Sequence, residues 1–171
     1  MALIDHIGVL VPDLEEGIER WSRATGYDFS PVARYRTHHY IDHTQPGEHF
    51  HDARISFSKQ GPPRIELMEV TGSGTHGPAE VGIHHLGIVN VADPERMLAD
   101  LDSKGIGHDG RSLSDEGLIH LFFTEKKALD GVRLEFVSTL VSPVVADDGS
   151  PLWRDPNTGK ASFWGPPEPT S

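Results

Sequence analysis

Cysteine is absent from this 171-residue chain, which excludes disulfides, thiolate metal sites and a cysteine nucleophile. Basic residues are scarce: 15 Lys and Arg stand against 26 Asp and Glu, for a net charge of −11. Phosphate recognition rests on Lys and Arg, so nucleic acid is not an expected partner. Long apolar runs are missing too. None approaches the roughly 20 residues of a membrane span, so no membrane partner is expected. The opening Met1–Glu16 has no basic region ahead of a long apolar stretch and does not read as a signal peptide. A soluble cytoplasmic protein is the default expectation. The length suits one ordinary domain. Histidine, by contrast, is plentiful, with 11 copies, and imidazole is the commonest metal ligand.

A pattern recurs along the chain. Ile4-Asp5-His6-Ile7-Gly8-Val9-Leu10-Val11 is followed by Pro12-Asp13 and a helical segment; Ile83-His84-His85-Leu86-Gly87-Ile88-Val89-Asn90 is followed by Asp93-Pro94 and another. Each strand carries His-x-Gly, 79 residues apart. In the first helix, Asp13 with Glu16 has the form of a capping box, Leu14, Ile18 and Trp21 make one apolar face, and Gly26 is a stop. The second has Asp93 as N-cap, Pro94 at its first turn and a Met97/Leu101 stripe ending at Gly105. Three strand-like runs follow each helix: about Ala33–Asp42, Ala53–Ser58 and Arg64–Val70, then Gly107–Leu113, Leu118–Thr124 and Val132–Ser138. Gly61-Pro62-Pro63 and Asp130-Gly131 punctuate the last turn of each half. The reading is an α+β fold, βαβββ twice, in modules of about 3–72 and 81–139 within a single domain of residues 1–140. Residues 141–171 differ in character. From residue 142 they hold six of the 13 prolines and scattered Trp153, Phe163 and Trp164. They read as an extended C-terminal tail, either anchored by its aromatics on this subunit or a neighbour, or partly disordered.

Side chains alternate along strands. Ile7, Val9 and Val11 oppose His6 and Gly8; Ile65 and Leu67 oppose Glu66; Leu86 and Ile88 oppose His85 and Gly87; Leu134 and Phe136 oppose Glu135. The aliphatic faces suit packing on the helices, which leaves His6, Glu66, His85 and Glu135 on the other. A lone His or Glu in a strand is more often a satisfied or solvated residue than a ligand. Four in corresponding places of two repeats point to a shared divalent cation. Two neutral imidazoles and two carboxylates balance its charge and suit Zn, Fe, Ni, Co or Mn better than Ca. Two positions of an octahedral ion would stay open for substrate oxygens, and such an ion stabilises an enolate as a Lewis acid.

The segments IDHIGVLVPDLEEGIERW, RIELMEV, GIHHLGIVNV and GVRLEFV resemble the vicinal oxygen chelate superfamily, whose members include glyoxalase I, methylmalonyl-CoA epimerase, extradiol dioxygenases and bleomycin resistance proteins. The resemblance covers about residues 3–138. It implies the glyoxalase/bleomycin resistance-type fold, a mixed sheet curled around one metal, with His6, Glu66, His85 and Glu135 as ligands. His84 falls to a supporting or structural role. The opening and the GIHHLGI element are most similar to methylmalonyl-CoA epimerase, although that enzyme type usually has Gln where Glu66 stands. The His/Glu/His/Glu set is similar to that of bacterial glyoxalase I. What this implies is a metal-dependent isomerase, epimerase or lyase acting on a small-molecule carbonyl substrate, in a homodimer, with Glu135 or Glu66 as proton shuttle. Two other readings stand beside it: a ferrous extradiol-type dioxygenase, and a binding or resistance protein without catalysis.

Further candidates lie outside the ligand set. In Leu118–Thr124, alternation puts His120, Phe122 and Thr124 on the site face, so His120 is a candidate catalytic residue, with Arg54 or Ser56 as its counterpart in the first half. The stretch Arg34–Asp52 holds His38, His39, His43, His49 and His51. It reads as a loop or strand giving polar contacts beside the pocket, because its spacings match no compact ligand motif. A CoA thioester would want clustered cations, and Arg34, Arg36, Arg64, Arg111 and Arg133 form no cluster in sequence. A smaller or less charged carbonyl compound is therefore expected.

Overall fold

A computed structural model describes residues 3–167. The first module runs β1 (His6–Val11), α1 (Leu14–Thr25), β2 (Ala33–Asp42), β3 (Gln45–Phe57) and β4 (Arg64–Glu69). The second runs β5 (Gly82–Val91), α2 (Pro94–Ser103), β6 (His108–Leu113), β7 (Ile119–Thr124) and β8 (Arg133–Ser138). The fold is α+β, with a strongly curled mixed sheet of order β3-β4-β1-β5-β8-β7-β6-β2. Because β2 also pairs with β3, these eight strands close on themselves. β1–β4 and β5–β8 are parallel, and β1 meets β5 antiparallel at the module junction.

Each helix begins where a side chain satisfies its first orphan N–H groups. Asp13 accepts from the Glu16 amide at 2.8 Å, and Asp93 accepts from the Arg96 amide at 2.9 Å. The reciprocal half of the capping box does not form, since the Glu16 carboxylate turns to Arg20. Gly26, at φ 74°, ends α1 in the left-handed region that favours glycine. The helices cover the outer faces of the strands. Leu14, Ile18 and Trp21 pack on Ile7, Val9, Val11, Ile65 and Leu67. Met97, Leu98 and Leu101 pack on Ile88, Leu134, Phe136 and Phe122. The aliphatic faces read from alternation thus lie outside, and their polar partners face the barrel interior.

Two features differ from the sequence expectation, and the tail takes one of the readings left open. β3 begins at Gln45, not near Ala53, so β2 and β3 form one long hairpin. The Asp42 carboxylate turns its tip by accepting from the amides of Thr44 and Gln45 at 2.8 and 3.0 Å. Residues 45–50 are largely exposed, so no apolar alternation marks this half of the strand. In β7 the facing is the reverse of the expected one, because Phe122 pairs with the outward Phe136 and Phe123 with the inward Glu135. Phe122 joins the outer layer under α2, whereas Leu121 and Phe123 point inward. Finally, the tail is ordered on its own subunit. Strand β9 (Val144–Ala146) pairs with β2, and Arg34 binds Asp147 through both its carboxylate and its carbonyl oxygen. Val144, Leu152 and Phe163 pack on the interior cluster of Leu10, Ala53, Ile55 and Met68. The end of the expected tail, residues 168–171, lies outside the described residues.

Candidate metal centre

Strands β4, β1, β5 and β8 are successive neighbours in the barrel, and each sends one of the expected residues inward. The register explains the repeated glycine. Gly8 on β1 lies between Glu66 and His85, and Gly87 on β5 lies between His6 and Glu135. A Cβ on Gly8 would collide with the His85 ring, and one on Gly87 would collide with the His6 ring. His-x-Gly therefore has one cause in both halves: each glycine leaves the space that the other half's imidazole fills.

The four side chains are buried, with exposures of 4% for His6, 7% for Glu66, 0% for His85 and 6% for Glu135. The two Nε2 atoms are 3.0 Å apart. His6 Nε2 lies 3.0 Å from Glu135 Oε2 and 3.5 Å from Glu66 Oε2. His85 Nε2 lies 3.2 Å from Glu66 Oε2 and 3.6 Å from Glu135 Oε2. Ligand atoms about 2.1 Å from a common ion stand about 3.0 Å apart at adjacent octahedral corners and about 3.4 Å apart on a tetrahedron, so the cage has the size of a transition-metal shell. His6, Glu66 and His85 form the mutually close group, and Glu135 joins through its approaches to the two imidazoles.

Hydrogen bonds behind the rings set which nitrogen keeps its lone pair. His84 Nε2 lies 2.6 Å from the Thr75 carbonyl oxygen, which can only accept, so His84 carries its proton there. Burial, reinforced by the charges of His85 and Arg133, depresses His84 to a pKa of about 3, so the ring is neutral and its Nδ1 accepts. The Nδ1 of His85, 2.9 Å away, must then donate. This leaves the Nε2 of His85 facing the cage. On the other side Asp5 accepts from His6 Nδ1 at 3.2 Å, which turns the His6 Nε2 the same way. Two imidazole Nε2 atoms and two carboxylates thus converge on one point. Two carboxylates facing two imidazoles favour positive charge at the centre, whether a proton on His6 or a bound cation. The pull on positive charge is visible in His6 itself. Burial opposes its protonation, yet the bonds to Asp5 and Glu135 and the charge of Glu66 raise its pKa to about 10. Glu135 responds in the opposite sense: burial works against its charge, but His85 and His6 hold its pKa near 2.

Beside the cage is a small cavity of about 40 Å³, bordered by Glu66 and Glu135 and by Tyr35, Tyr40, His51 and His76. Ile55, Met68, Leu121 and Phe123 supply its apolar wall. His120, expected on the site face, sits behind that wall: its Nδ1 lies 3.0 Å from the Tyr35 hydroxyl, and Tyr35 is the residue that borders the cavity. Arg54 and Ser56 do not reach the cavity either. Arg54 turns outward to Glu15, Glu69 and Asp147, and Ser56 donates to the Ser30 carbonyl. Of the His-rich stretch, His51 alone borders the cavity, while His39 pairs with Glu48 and Asp115. Tyr35 and Tyr40 lie in the stretch expected beside the pocket and do border it, whereas His76, in the turn before β5, carried no signal in the sequence.

A family profile described as the glyoxalase/bleomycin resistance protein/dioxygenase superfamily matches residues 5–112, more than half of the chain. The chain belongs to this superfamily. The match takes in His6, Glu66 and His85, with Glu135 beyond its end. No curated protein matches the sequence. Among solved structures, this superfamily member is similar to a hypothetical protein from Bacillus halodurans C-125, at 20% identity and TM-score 0.54, over 82% of this chain and 96% of that one. Streptomyces coelicolor methylmalonyl-CoA epimerase in complex with 2-nitronate-propionyl-CoA is similar at 22% identity and TM-score 0.54, over 83% and 98% of the two chains. Mycobacterium tuberculosis methylmalonyl-CoA epimerase is similar at 22% and TM-score 0.53, over 80% and 87%. These likenesses show the shared fold. No helix among the described residues is long and apolar enough to cross a membrane.

Proposed function

We propose that this protein is a divalent-metal-dependent isomerase, epimerase or lyase that moves a proton next to the carbonyl of a small substrate. The observation that carries the reading is the convergence of two imidazole nitrogens and two carboxylates, with each imidazole Nδ1 engaged from behind. His6, Glu66, His85 and Glu135 would hold the ion, with Zn, Fe, Ni, Co and Mn all suited to the set. When bound, the ion supplies Lewis acidity that stabilises an enolate.

The chain's own groups do the rest. Glu135 borders the cavity, stays ionised and stands apart from the compact His6/Glu66/His85 group. We therefore assign its carboxylate oxygen as the group that takes and returns the proton, with Glu66 as the second cavity carboxylate. Ile55, Met68, Leu121 and Phe123 exclude bulk water and strengthen the electrostatics at the reacting centre. All four candidate ligands come from one chain.

The methylmalonyl-CoA epimerase structures, solved with CoA compounds, support the reaction class. Support for a CoA substrate is weaker, because most of the candidate cations are engaged. Arg34 and Arg36 both pair with Asp52, Arg64 with Asp5, and Arg133 with Asp109 and Glu80. The test is hydrogen exchange in D2O, with metal-loaded protein and a panel of 2-oxo acids, acyl-CoAs and hemithioacetals. The expected result is deuterium uptake next to a carbonyl that vanishes in Glu135→Gln while the melting curve is kept. Metal-loaded protein that exchanges none of them, or that instead consumes oxygen with a catechol, would overturn the reading.

A further inference from the structure

The cavity has a second polar end that the cage does not use. His51 and His76 both border it, and they are only 8% and 5% exposed. The His51 ring stacks on Tyr40 at 4.3 Å and tilts against His76 at 4.7 Å. Among the described residues neither nitrogen of His51 has a hydrogen-bond partner, and its perturbation comes from burial and neighbouring charge alone. His76 is half-satisfied. The Tyr40 hydroxyl lies 2.7 Å from Thr75 Oγ1, which lies 3.0 Å from His76 Nδ1. One proton order gives every hydrogen in this chain an acceptor: Tyr40 donates to Thr75, and Thr75 donates to His76 Nδ1. The proton of His76 then sits on Nε2, where no protein group accepts it.

Imidazole nitrogens that no protein group meets, on two largely buried rings side by side at one cavity, are open to a ligand that completes them. That ligand accepts hydrogen bonds, because His76 offers a donor. The Arg133 guanidinium also bears electrostatically on His76. The about 40 Å³ of space holds about three water molecules, so the occupant is compact. Aromatic and aliphatic walls leave only two polar ends, one at the Glu66/Glu135 side and one at the two imidazoles.

We infer that His51 and His76 form a carboxylate-binding pole, which takes one end of a small oxo- or hydroxy-acid whose remaining oxygens face the cage. The facing towards a metal rests on the proposed function above; the imidazole pole stands on its own geometry. Both rings are neutral before the ligand arrives. Burial and the neighbouring His49 lower His51 to about 4, and burial with the nearby His51, His84, His85 and Arg133 holds His76 well below the usual range. Such rings can donate without adding a fixed charge to a site that already balances two carboxylates against one divalent ion.

The probe is oxalate, added to zinc-loaded and to chelator-treated protein carrying nitrogen-15 histidine. The expected result is a shift of the ring signals of His51 and His76 with oxalate in the zinc-loaded protein, while the outer His39 and His108 stay still. His51→Phe, which keeps the stack on Tyr40, weakens oxalate binding roughly tenfold or more, the loss of a hydrogen bond to a charged group. His51→Gln keeps a neutral donor and stays within roughly threefold of the wild type. Oxalate that binds the zinc-loaded protein without moving either ring, or equally well in His51→Phe, would overturn the inference and leave the metal reading standing. Protein that binds no zinc yet still shows both rings shifting with oxalate would sink the metal reading and keep the pole. Should His51→Phe fail to fold, the ring shifts in the unmutated protein decide alone.

Discussion

Gly8→Ala puts the cage geometry to a direct test. A methyl group at this position would sit on the Cε1, Nδ1 and Nε2 atoms of His85. The ring has no easy retreat. It is fully buried, its Nδ1 is tied to His84 at 2.9 Å, and Phe123 packs against it with a ring-centre distance of 5.3 Å. Forcing one carbon into such packing costs about 1–3 kcal/mol, and each kcal/mol lowers Tm by roughly 2–4 °C in a chain of this length. The larger effect falls on the metal. Changing groups behind a ligand weakens metal affinity about 10–100-fold, and displacing the imidazole itself should cost at least about 100-fold by the same measure. Competition with a chromogenic chelator gives the affinity, and melting of metal-free protein gives the stability. Gly47→Ala serves as the control, since a Cβ there meets nothing within 4 Å. A Gly8→Ala protein that melts normally and binds zinc as tightly as the wild type would refute the reasoning.

Three other outcomes are expected. His84→Phe removes the acceptor for His85 Nδ1 and the donor to the Thr75 carbonyl. Metal affinity should drop about 10–100-fold, read by the same chelator competition. Acid should destabilise the protein through its neutral buried histidines. His51 has a folded pKa of about 4 against an ordinary 6.5, so its contribution is complete above pH 6.5 and is lost as pH falls towards 4, where the unfolded chain takes up the proton first. The loss reaches up to about 3 kcal/mol, and His51→Phe should flatten that stretch of a urea-stability profile against pH. Phe163→Ala should cost roughly 1–2 kcal/mol, less than a fully buried phenylalanine. It strips the ring that packs 4.8 Å from Phe57 and helps tie the C-terminal extension to the barrel, and thermal melting reads it.

Much of this architecture is legible in the chain because the strands nearest the helices have one wholly aliphatic face. Ile7, Val9 and Val11, or Leu134 and Phe136, can face only the helices, and that fixes His6 and Glu135 on the inside. The glycine of His-x-Gly is visible as a repeat, but its reason lies in the pairing of β1 with β5, which no local pattern encodes. Alternation alone does not give the facing of β7, which pairing with β8 sets by placing Phe122 beside Phe136, while the shift against β6 leaves His120 behind Tyr35. It is silent in the first half of β3, where solvent covers both faces of the hairpin tip. How the far wall of the cavity assembles was hidden for a third reason. Tyr40 and His51 belong to the β2–β3 hairpin, and His76 to a short turn before β5, and their meeting depends on long-range closure of the barrel.

The central claim, a four-ligand metal cage, is tested most directly by titrating chelator-stripped protein with cobalt(II) while following its visible absorption and the protons released. The account predicts one ion per chain, with release of about one proton near neutral pH, because the ion displaces the proton that His6 holds up to a pKa of about 10. Folded protein that takes up no stoichiometric cobalt, or binds it without any change when His6 and His85 are both replaced by alanine, would contradict it.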